Sequence, residues 1–327
     1  MTGEVGWVAA KPLIVMTAAV SVNRPTAGPA SMAVSCHAVA VGSLVAMVVP
    51  ANPRLDADAP IAMFDSGFGG LTVARAVIDL LPHEPIVYLG DTARYPYGPR
   101  SQDEVRAFSH QIAEHLVDEC GAKLLIVACN TAAAAALDEL QDRFDIPVIG
   151  VIEPGVRSVL KATENRRVGV IGTVGTIESG AYQDTVADHA ACTGLDDVEL
   201  CALSCPGFVE FVERGEFDSH QVHVLAERLL APAVEFGVDS LLLGCTHYPY
   251  LARTIAEVMG REVVLVSSAD ETAFEIADML VERGLDRDEA VPTPAPRFLT
   301  TGDVDWFQHL GSRLLGPELE RAERVTL

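Results

Sequence analysis

Leu241-Leu242-Leu243-Gly244-Cys245-Thr246-His247-Tyr248-Pro249 is the stretch whose reading decides the fold. Three consecutive leucines read as the end of a buried parallel strand. The strand stops at Gly244, and a cysteine follows at once. Pro249 suits the first turn of a helix, predicted over about Tyr250 to Met259. Cys245 therefore stands where a parallel strand hands over to a helix. That crevice, at the carboxyl ends of the strands, is where open α/β sheets bind ligands. The same arrangement occurs earlier, in Leu124-Leu125-Ile126-Val127-Ala128-Cys129-Asn130-Thr131. The organising idea is two half-chains, each presenting one cysteine to one shared cleft.

A chain of 327 residues suits about two domains. Its 49% hydrophobic and 21% charged residues give a globular protein with ample core. The net charge is −23. Residues 1–60 hold Lys11, Arg24 and Arg54 against Glu4, Asp56 and Asp58, so the acidic excess lies beyond them. An acidic body disfavours nucleic acid, whose usual hold is phosphate neutralisation. It favours a soluble, self-repelling particle. Seven cysteines (Cys36, Cys120, Cys129, Cys192, Cys201, Cys205 and Cys245) at irregular spacing do not form a disulfide framework. None has CxxC spacing, and Cys201 and Cys205 lack the second pair of a zinc site, so no metal is expected. The pattern is that of reduced cytoplasmic thiols, mostly core filler apart from Cys129 and Cys245.

Residues 1–58 do not match the rest. Pro25 to Pro53 contains no charged residue, and Met32 to Val49 has a borderline membrane-span length. Ser35, His37, Gly42 and Ser43 interrupt it. The apolar run Pro12 to Val22 is followed by Arg24 and Pro25, which fits an export signal badly. No membrane association is expected. Residues 1–58 are read as a disordered or non-native N-terminal extension. Met47 is a candidate start, and the folded pattern begins at Ile61.

In the first half, Ile61 to Phe64 is a short strand that enters Asp65-Ser66-Gly67-Phe68-Gly69-Gly70-Leu71-Thr72 and a helix to about Leu81. A glycine-rich strand-to-helix turn offers N–H groups and a helix dipole to an anion. It lacks the lysine of a P-loop and the glycine spacing of a dinucleotide fingerprint, so a small carboxylate is the expected anion. The alternative is that the glycines serve turn geometry alone. Ile86 to Gly90 is a second strand, followed by the rigid aromatic loop Tyr95-Pro96-Tyr97-Gly98-Pro99 and a helix over about Gln102 to Cys120. The helix after Cys129 is predicted from Thr131 to Phe144. Its N-terminal dipole favours a thiolate at Cys129.

The second half repeats the first. Arg167 to Thr173 reproduces the strand-then-turn form of Ile61 to Thr72, and the Cys245 unit reproduces the Cys129 unit. Strands are predicted at Leu200 to Leu203, Val263 to Val266 and Arg297 to Thr300, and helices at Gln221 to Phe236 and Glu271 to Arg283. Asp303 to Arg324 reads as helical or irregular. Paired thiols in one cleft serve three chemistries: disulfide redox, which favours adjacent cysteines; metal binding, which needs more ligands; or two-base proton transfer at carbon. In the last, one side removes a proton and the other returns one to the opposite face. Asp65 is placed to serve Cys129, and Glu213 or His247 to serve Cys245. A pyridoxal enzyme would need a Schiff-base lysine. Lys11, Lys123 and Lys161 are all poorly placed for that, so no cofactor is expected.

Asp65-Ser66-Gly67-x-Gly69-Gly70-Leu71-Thr72, Tyr95-Pro96-Tyr97-Gly98, Cys129-Asn130-Thr131-Ala132 and Gly244-Cys245-Thr246-His247-Tyr248-Pro249 together resemble the glutamate racemases. The likeness runs from about Ile61 to Glu320. It implies two pseudo-symmetric doubly wound parallel-sheet α/β domains of the aspartate/glutamate racemase type, with the active site in the cleft between them. One domain would comprise residues 59–156 plus 267–327, and the other 157–266. It also implies a cofactor-independent homodimer that supplies D-glutamate for peptidoglycan. Carried over by motif, Cys129 and Cys245 are the two bases, tuned by Asp65, Glu213 and His247. Asp65, Ser66, Tyr97, Gly98, Asn130, Thr131, Thr246 and His247 hold the substrate. The match at Glu213 is looser, because Glu210 is a near neighbour. Rival readings are an aspartate or hydantoin racemase, a thiol redox protein, and a non-catalytic binder with an acidic surface.

Overall fold

Runs of leucine, isoleucine and valine with no polar break make the central strands, because a strand covered on both faces needs apolar residues throughout. The computed structural model describes residues 16–18, 56–195 and 197–327. In chain order the strands are β1 (Met16–Ala18), β2 (Ile61–Asp65), β3 (Ile86–Gly90), β4 (Leu124–Val127), β5 (Val148–Gly150) and β6 (Arg167–Gly172). They continue with β7 (Glu199–Ser204), β8 (Ser240–Gly244), β9 (Val264–Ser267), β10 (Arg297–Thr300) and β11 (Ala322–Arg324). One sheet has the order β11-β10-β3-β2-β4-β5, all parallel. The other runs β1-β7-β6-β8-β9, parallel except where β1 pairs antiparallel with β7.

Four adjacent strands of each sheet, β3-β2-β4-β5 and β7-β6-β8-β9, follow one order: second, first, third, fourth. Each sheet therefore reverses its winding between its first and third strands, which is the switch point where such sheets bind ligands. In the first sheet those strands are β2, ending at Asp65, and β4, which leads to Cys129. In the second they are β6 and β8, aligned so that Gly172 faces Gly244, with Cys245 next. The α/β fold with parallel sheets thus carries the internal repeat read from the sequence.

Helices cover both sheets and join them. Leu71–Leu80 packs against Ser268–Arg283 and Val304–Leu315, so the chain end returns to the first sheet, where β10 pairs with β3. Helix Ile152–Ala162 packs on β8 and β9 as well as on Ser268–Arg283. One buried cluster contains Leu125 and Val127 of β4, Val156 of that helix, Val168 of β6 and Leu242 of β8. The halves therefore share core, and the expected division at 156/157 falls inside helix Ile152–Ala162, which packs on the second sheet and on helix Ser268–Arg283.

Several expectations change. Residues 1–58 lie outside the described residues except for 16–18 and 56–58. Among those, the Ala57 carbonyl accepts from Lys123 Nζ at 2.6 Å, and Asp58 accepts from Arg287 Nε at 2.8 Å. The ordered contacts begin before Ile61. After Cys245 the chain makes a 3₁₀ turn, Tyr248–Leu251, and the α-helix starts only at Ala252. The N–H groups of Tyr248 and Tyr250 bond three residues back, to Cys245 and His247, which tightens the turn after the thiol. The helix from Gln102 is α-helical to Glu114 and ends in a π-helical turn, His115–Glu119. Residues 303–324 hold a helix, Val304–Leu315, and the unexpected β11. This edge strand is Ala-Glu-Arg, which has no apolar run to betray it.

Candidate active site

Cys129 closes β4 and is the N-cap of helix Asn130–Arg143. The backbone N–H groups of Ala132 and Ser66 point at its sulfur. Burial, and then the Asp65 carboxylate, nevertheless push the thiol up to about 12; those N–H groups pull the other way, and Cys245 adds to the rise. The helix N-terminus pulls toward the thiolate as expected, but it is outweighed here. Removing a charge from water outweighs a partial charge at a helix end.

Cys245 sits at the matching corner of the second sheet with a different neighbour. Its sulfur lies 3.9 Å from His247 Nδ1, and His247 Nε2 lies 2.9 Å from Glu213 Oε1. His247 is buried and Glu213 is mostly covered. Burial alone would lower the imidazole, but Cys245 and Glu213 outweigh it and hold the ring well above its ordinary value. Glu213, from helix Phe208–Glu213, is thus the partner, while Glu210 on the same helix is exposed.

Asp65 is fully buried and links the halves. Its Oδ1 accepts from the Gly67 N–H at 2.8 Å, and its Oδ2 accepts from the Thr246 hydroxyl at 3.2 Å. The glycines of this turn serve close approach. A Cβ on Gly69 would stand 2.3 Å from Thr246 Oγ1 and 2.4 Å from His247 Nδ1. The turn expected to cradle an anion is, at Gly69, packed against the segment that follows the second cysteine.

The remaining predicted residues meet around these two corners. Thr131 Oγ1 lies 2.9 Å from Thr173 Oγ1 and 3.1 Å from Thr176 Oγ1, and the latter two are 2.9 Å apart. This hydroxyl triangle ties the Cys129 motif to the end of β6. The Gly98 carbonyl accepts from the Gly175 N–H at 2.9 Å, so the aromatic loop is bound to the same turn. Tyr97 lines the cavity, but its hydroxyl is committed to Asp91, which also accepts from Arg94 and Thr301. The Asn130 Oδ1 accepts from the Tyr182 hydroxyl at 2.6 Å. Sequence reasoning did not single out Thr173, Thr176, Asp91 or Tyr182 as site residues. The Gly172-Thr173 ending of β6, the counterpart of the Asp65 turn, was the one available signal for Thr173 and Thr176.

Ser66, Cys129, Asn130, Cys245, Thr246 and His247 line one cavity of about 100 Å³. Lys123 lies elsewhere, buried with Glu84 at 2.5 Å at the start of β4. Among the described residues, no group of three or more His, Cys, Asp or Glu side chains is placed to hold a metal ion. No helix among them is long and apolar enough to cross a membrane.

Two α/β sheets of the same strand order, each delivering a thiol to one cavity, define a racemase-type architecture. Residues 71–275 match the family described as Asp/Glu/Hydantoin racemase. The glutamate racemase of Acidothermus cellulolyticus is 52% identical over 260 residues, covering 80% of this chain and 96% of that protein. Among solved structures, glutamate racemase isoform RacE1 from Bacillus anthracis aligns with a TM-score of 0.78 at 41% identity, over 83% of this chain and 99% of that one. The Francisella tularensis enzyme in complex with D-glutamate aligns with a TM-score of 0.76 at 34% identity, over 83% and 98%. The chain belongs to the glutamate racemase family, and it is an amino-acid racemase, an isomerase.

Proposed function

We propose that the protein interconverts L- and D-glutamate by two-base proton transfer at Cα, with Cys129 and Cys245 as the bases. The observation that carries this reading is that the two thiols enter one cavity from matching corners of two sheets with the same strand order. One thiolate removes the Cα proton, and the electron pair passes into the carboxylate. The opposite thiol then delivers its proton to the other face and is left as the thiolate. Enzyme and product therefore end with the charge and proton count they began with. The substrate's ammonium group brings a positive charge to a site where Asp65 and burial hold the Cys129 proton. It lowers the cost of forming the thiolate there. On the other side, the His247–Glu213 pair supplies the compensating charge beside Cys245.

Asp65, Ser66, Tyr97, Gly98, Asn130, Thr131, Thr246 and His247 are proposed to surround the substrate, with Tyr97 acting as a wall rather than through its hydroxyl. The reading uses no cofactor, and no lysine among the described residues lines the cavity. It takes residues 59–156 with 267–327 as one domain and 157–266 as the other, sharing the helix at their boundary. It further proposes a cytoplasmic homodimer that supplies D-glutamate for peptidoglycan and needs no nucleic acid. The test is incubation of the full chain with L-glutamate in deuterated water without added cofactor. Loss of optical rotation, with one deuterium at Cα, supports the reading. An unchanged Cα proton with both glutamate enantiomers overturns it, and aspartate and hydantoins become the next substrates to try.

A further inference from the structure

Asn130 follows Cys129 directly, is 2% exposed and lines the cavity. Its Oδ1 is held by the Tyr182 hydroxyl at 2.6 Å. Its Nδ2 is buried and has no hydrogen-bond partner among the described residues. Tyr182 comes from the other half of the molecule, on helix Ala181–Thr193, and is fully buried behind the cavity wall. Its ring packs against the residue before the second cysteine: a Cβ on Gly244 would stand 2.8 Å from the ring. Tyr182 therefore touches both cysteine-bearing corners without reaching the cavity.

A carboxamide has two orientations, and the two differ in what they offer a ligand. A buried tyrosine hydroxyl needs an acceptor for its proton. Among the described residues, the Asn130 carboxamide is its one hydrogen-bond partner. With Oδ1 so engaged, the NH₂ group is turned the other way. A buried donor left unpaired loses its hydration with nothing in exchange. An anionic ligand oxygen makes good that loss, whereas the flipped amide would meet the same anion with its own lone pairs.

We infer that Tyr182 is a positioning residue: its hydroxyl fixes the Asn130 carboxamide so that the NH₂ group faces a carboxylate of the substrate. The assignment rests on the placement of substrate beside Asn130 proposed above. It sets ground-state and transition-state binding alike, so it acts on KM more than on kcat.

The test compares wild type, Tyr182→Phe, Asn130→Ala and the double variant, with KM and kcat measured for both glutamate enantiomers. Phenylalanine keeps the ring against Gly244 and removes only the hydroxyl. Tyr182→Phe is expected to raise KM about tenfold for both enantiomers, with kcat within about twofold. Asn130→Ala is expected to raise KM at least as much. Adding Tyr182→Phe to Asn130→Ala should then change KM less than about twofold, because the group through which the hydroxyl acts is gone. A purely structural role would lower the melting temperature and leave that non-additivity absent. If Tyr182→Phe leaves KM unchanged, or raises it equally in both backgrounds, the positioning role is overturned while the substrate site stands. If Asn130→Ala leaves KM unchanged, the placement of substrate beside Asn130 fails, and this inference fails with it. A wild-type chain that does not act on glutamate fails the functional reading itself.

Discussion

Cys129 and Cys245 occupy equivalent corners of two equivalent sheets, yet their surroundings differ. Cys129 has backbone N–H groups and a buried carboxylate around it, and its thiol is pushed up to about 12. Cys245 has an imidazole 3.9 Å away, and that imidazole is backed by Glu213. Equivalent backbone corners do not require equivalent electrostatics. Burial and Asp65 hold the proton at one corner, while an imidazole held well above its ordinary value stands at the other. Backbone topology sets the symmetry, and short-range partners break it.

The sharpest way to break this comparison is to remove each thiol in turn. Cys129→Ser and Cys245→Ser are each expected to lower racemisation about 10⁴-fold. In deuterated water each variant should still exchange the Cα proton of one glutamate enantiomer without inverting it, and the two variants should choose opposite enantiomers. If both exchange the same enantiomer, the two corners do not face opposite sides of the substrate.

Next in size come the groups that tune each corner. Glu213→Gln is expected to lower kcat/KM about 10²-fold. The fall must be equal for both enantiomers, because racemisation has an equilibrium constant of one. The asymmetry appears instead in the Cα deuterium isotope effect. That effect should rise for the enantiomer deprotonated by Cys245 and fall for the other, and Asp65→Asn should do the reverse. Isotope effects that move the same way in both variants would show that the corners are not tuned separately.

A smaller effect is expected where the corners touch. Gly69→Ala places a methyl group 2.3 Å from Thr246 Oγ1, and overpacking of this kind costs about 1–3 kcal/mol. Thermal unfolding and kcat/KM should fall together, the latter about tenfold or less. A stable and fully active variant would mean that the halves are free to separate slightly at this contact.

The smallest effect is on stability against pH. The folded state holds the Cys129 proton more tightly than the unfolded chain, from an ordinary 9 up to about 12. Its contribution is therefore complete below about pH 9 and is lost as pH rises through that interval. Cys129→Ser should flatten the alkaline decline in denaturation midpoint. His247 is also raised, so its contribution is complete below the ordinary histidine range and is lost as pH rises through the folded value. Glu213→Gln should move the His247 titration to lower pH, as read from imidazole chemical shifts, and leave the Cys129 signature where it was.

How much was legible in advance divides by range. Strands β2, β3, β4, β6 and β8 were visible because each is an apolar run ending in a glycine or a small polar turn. Both cysteines were visible because each follows such a run. The 3₁₀ turn after Cys245 was not, since proline permits either helix type and the local bonds decide. Strand β11 was invisible because a three-residue edge strand owes its existence to the neighbour it pairs with. The rise of the Cys129 thiol was not legible because the helix dipole is a local feature, whereas burial depends on everything packed around the thiol.

The sequence by itself determined the repeat, the α/β class, the two thiols and the motifs beside them, because these follow from hydrophobic runs and turn residues close together in the chain. Only the tertiary structure decided that Glu213 rather than Glu210 meets His247, and that Asp65 bonds to Thr246. It alone turned the Tyr97 hydroxyl away from the cavity and brought Tyr182 to the Asn130 amide. Each of those facts is a side-chain direction or a contact between distant segments. Local propensity carries no information about either, since both are fixed by how two sheets and their covering helices close on one another.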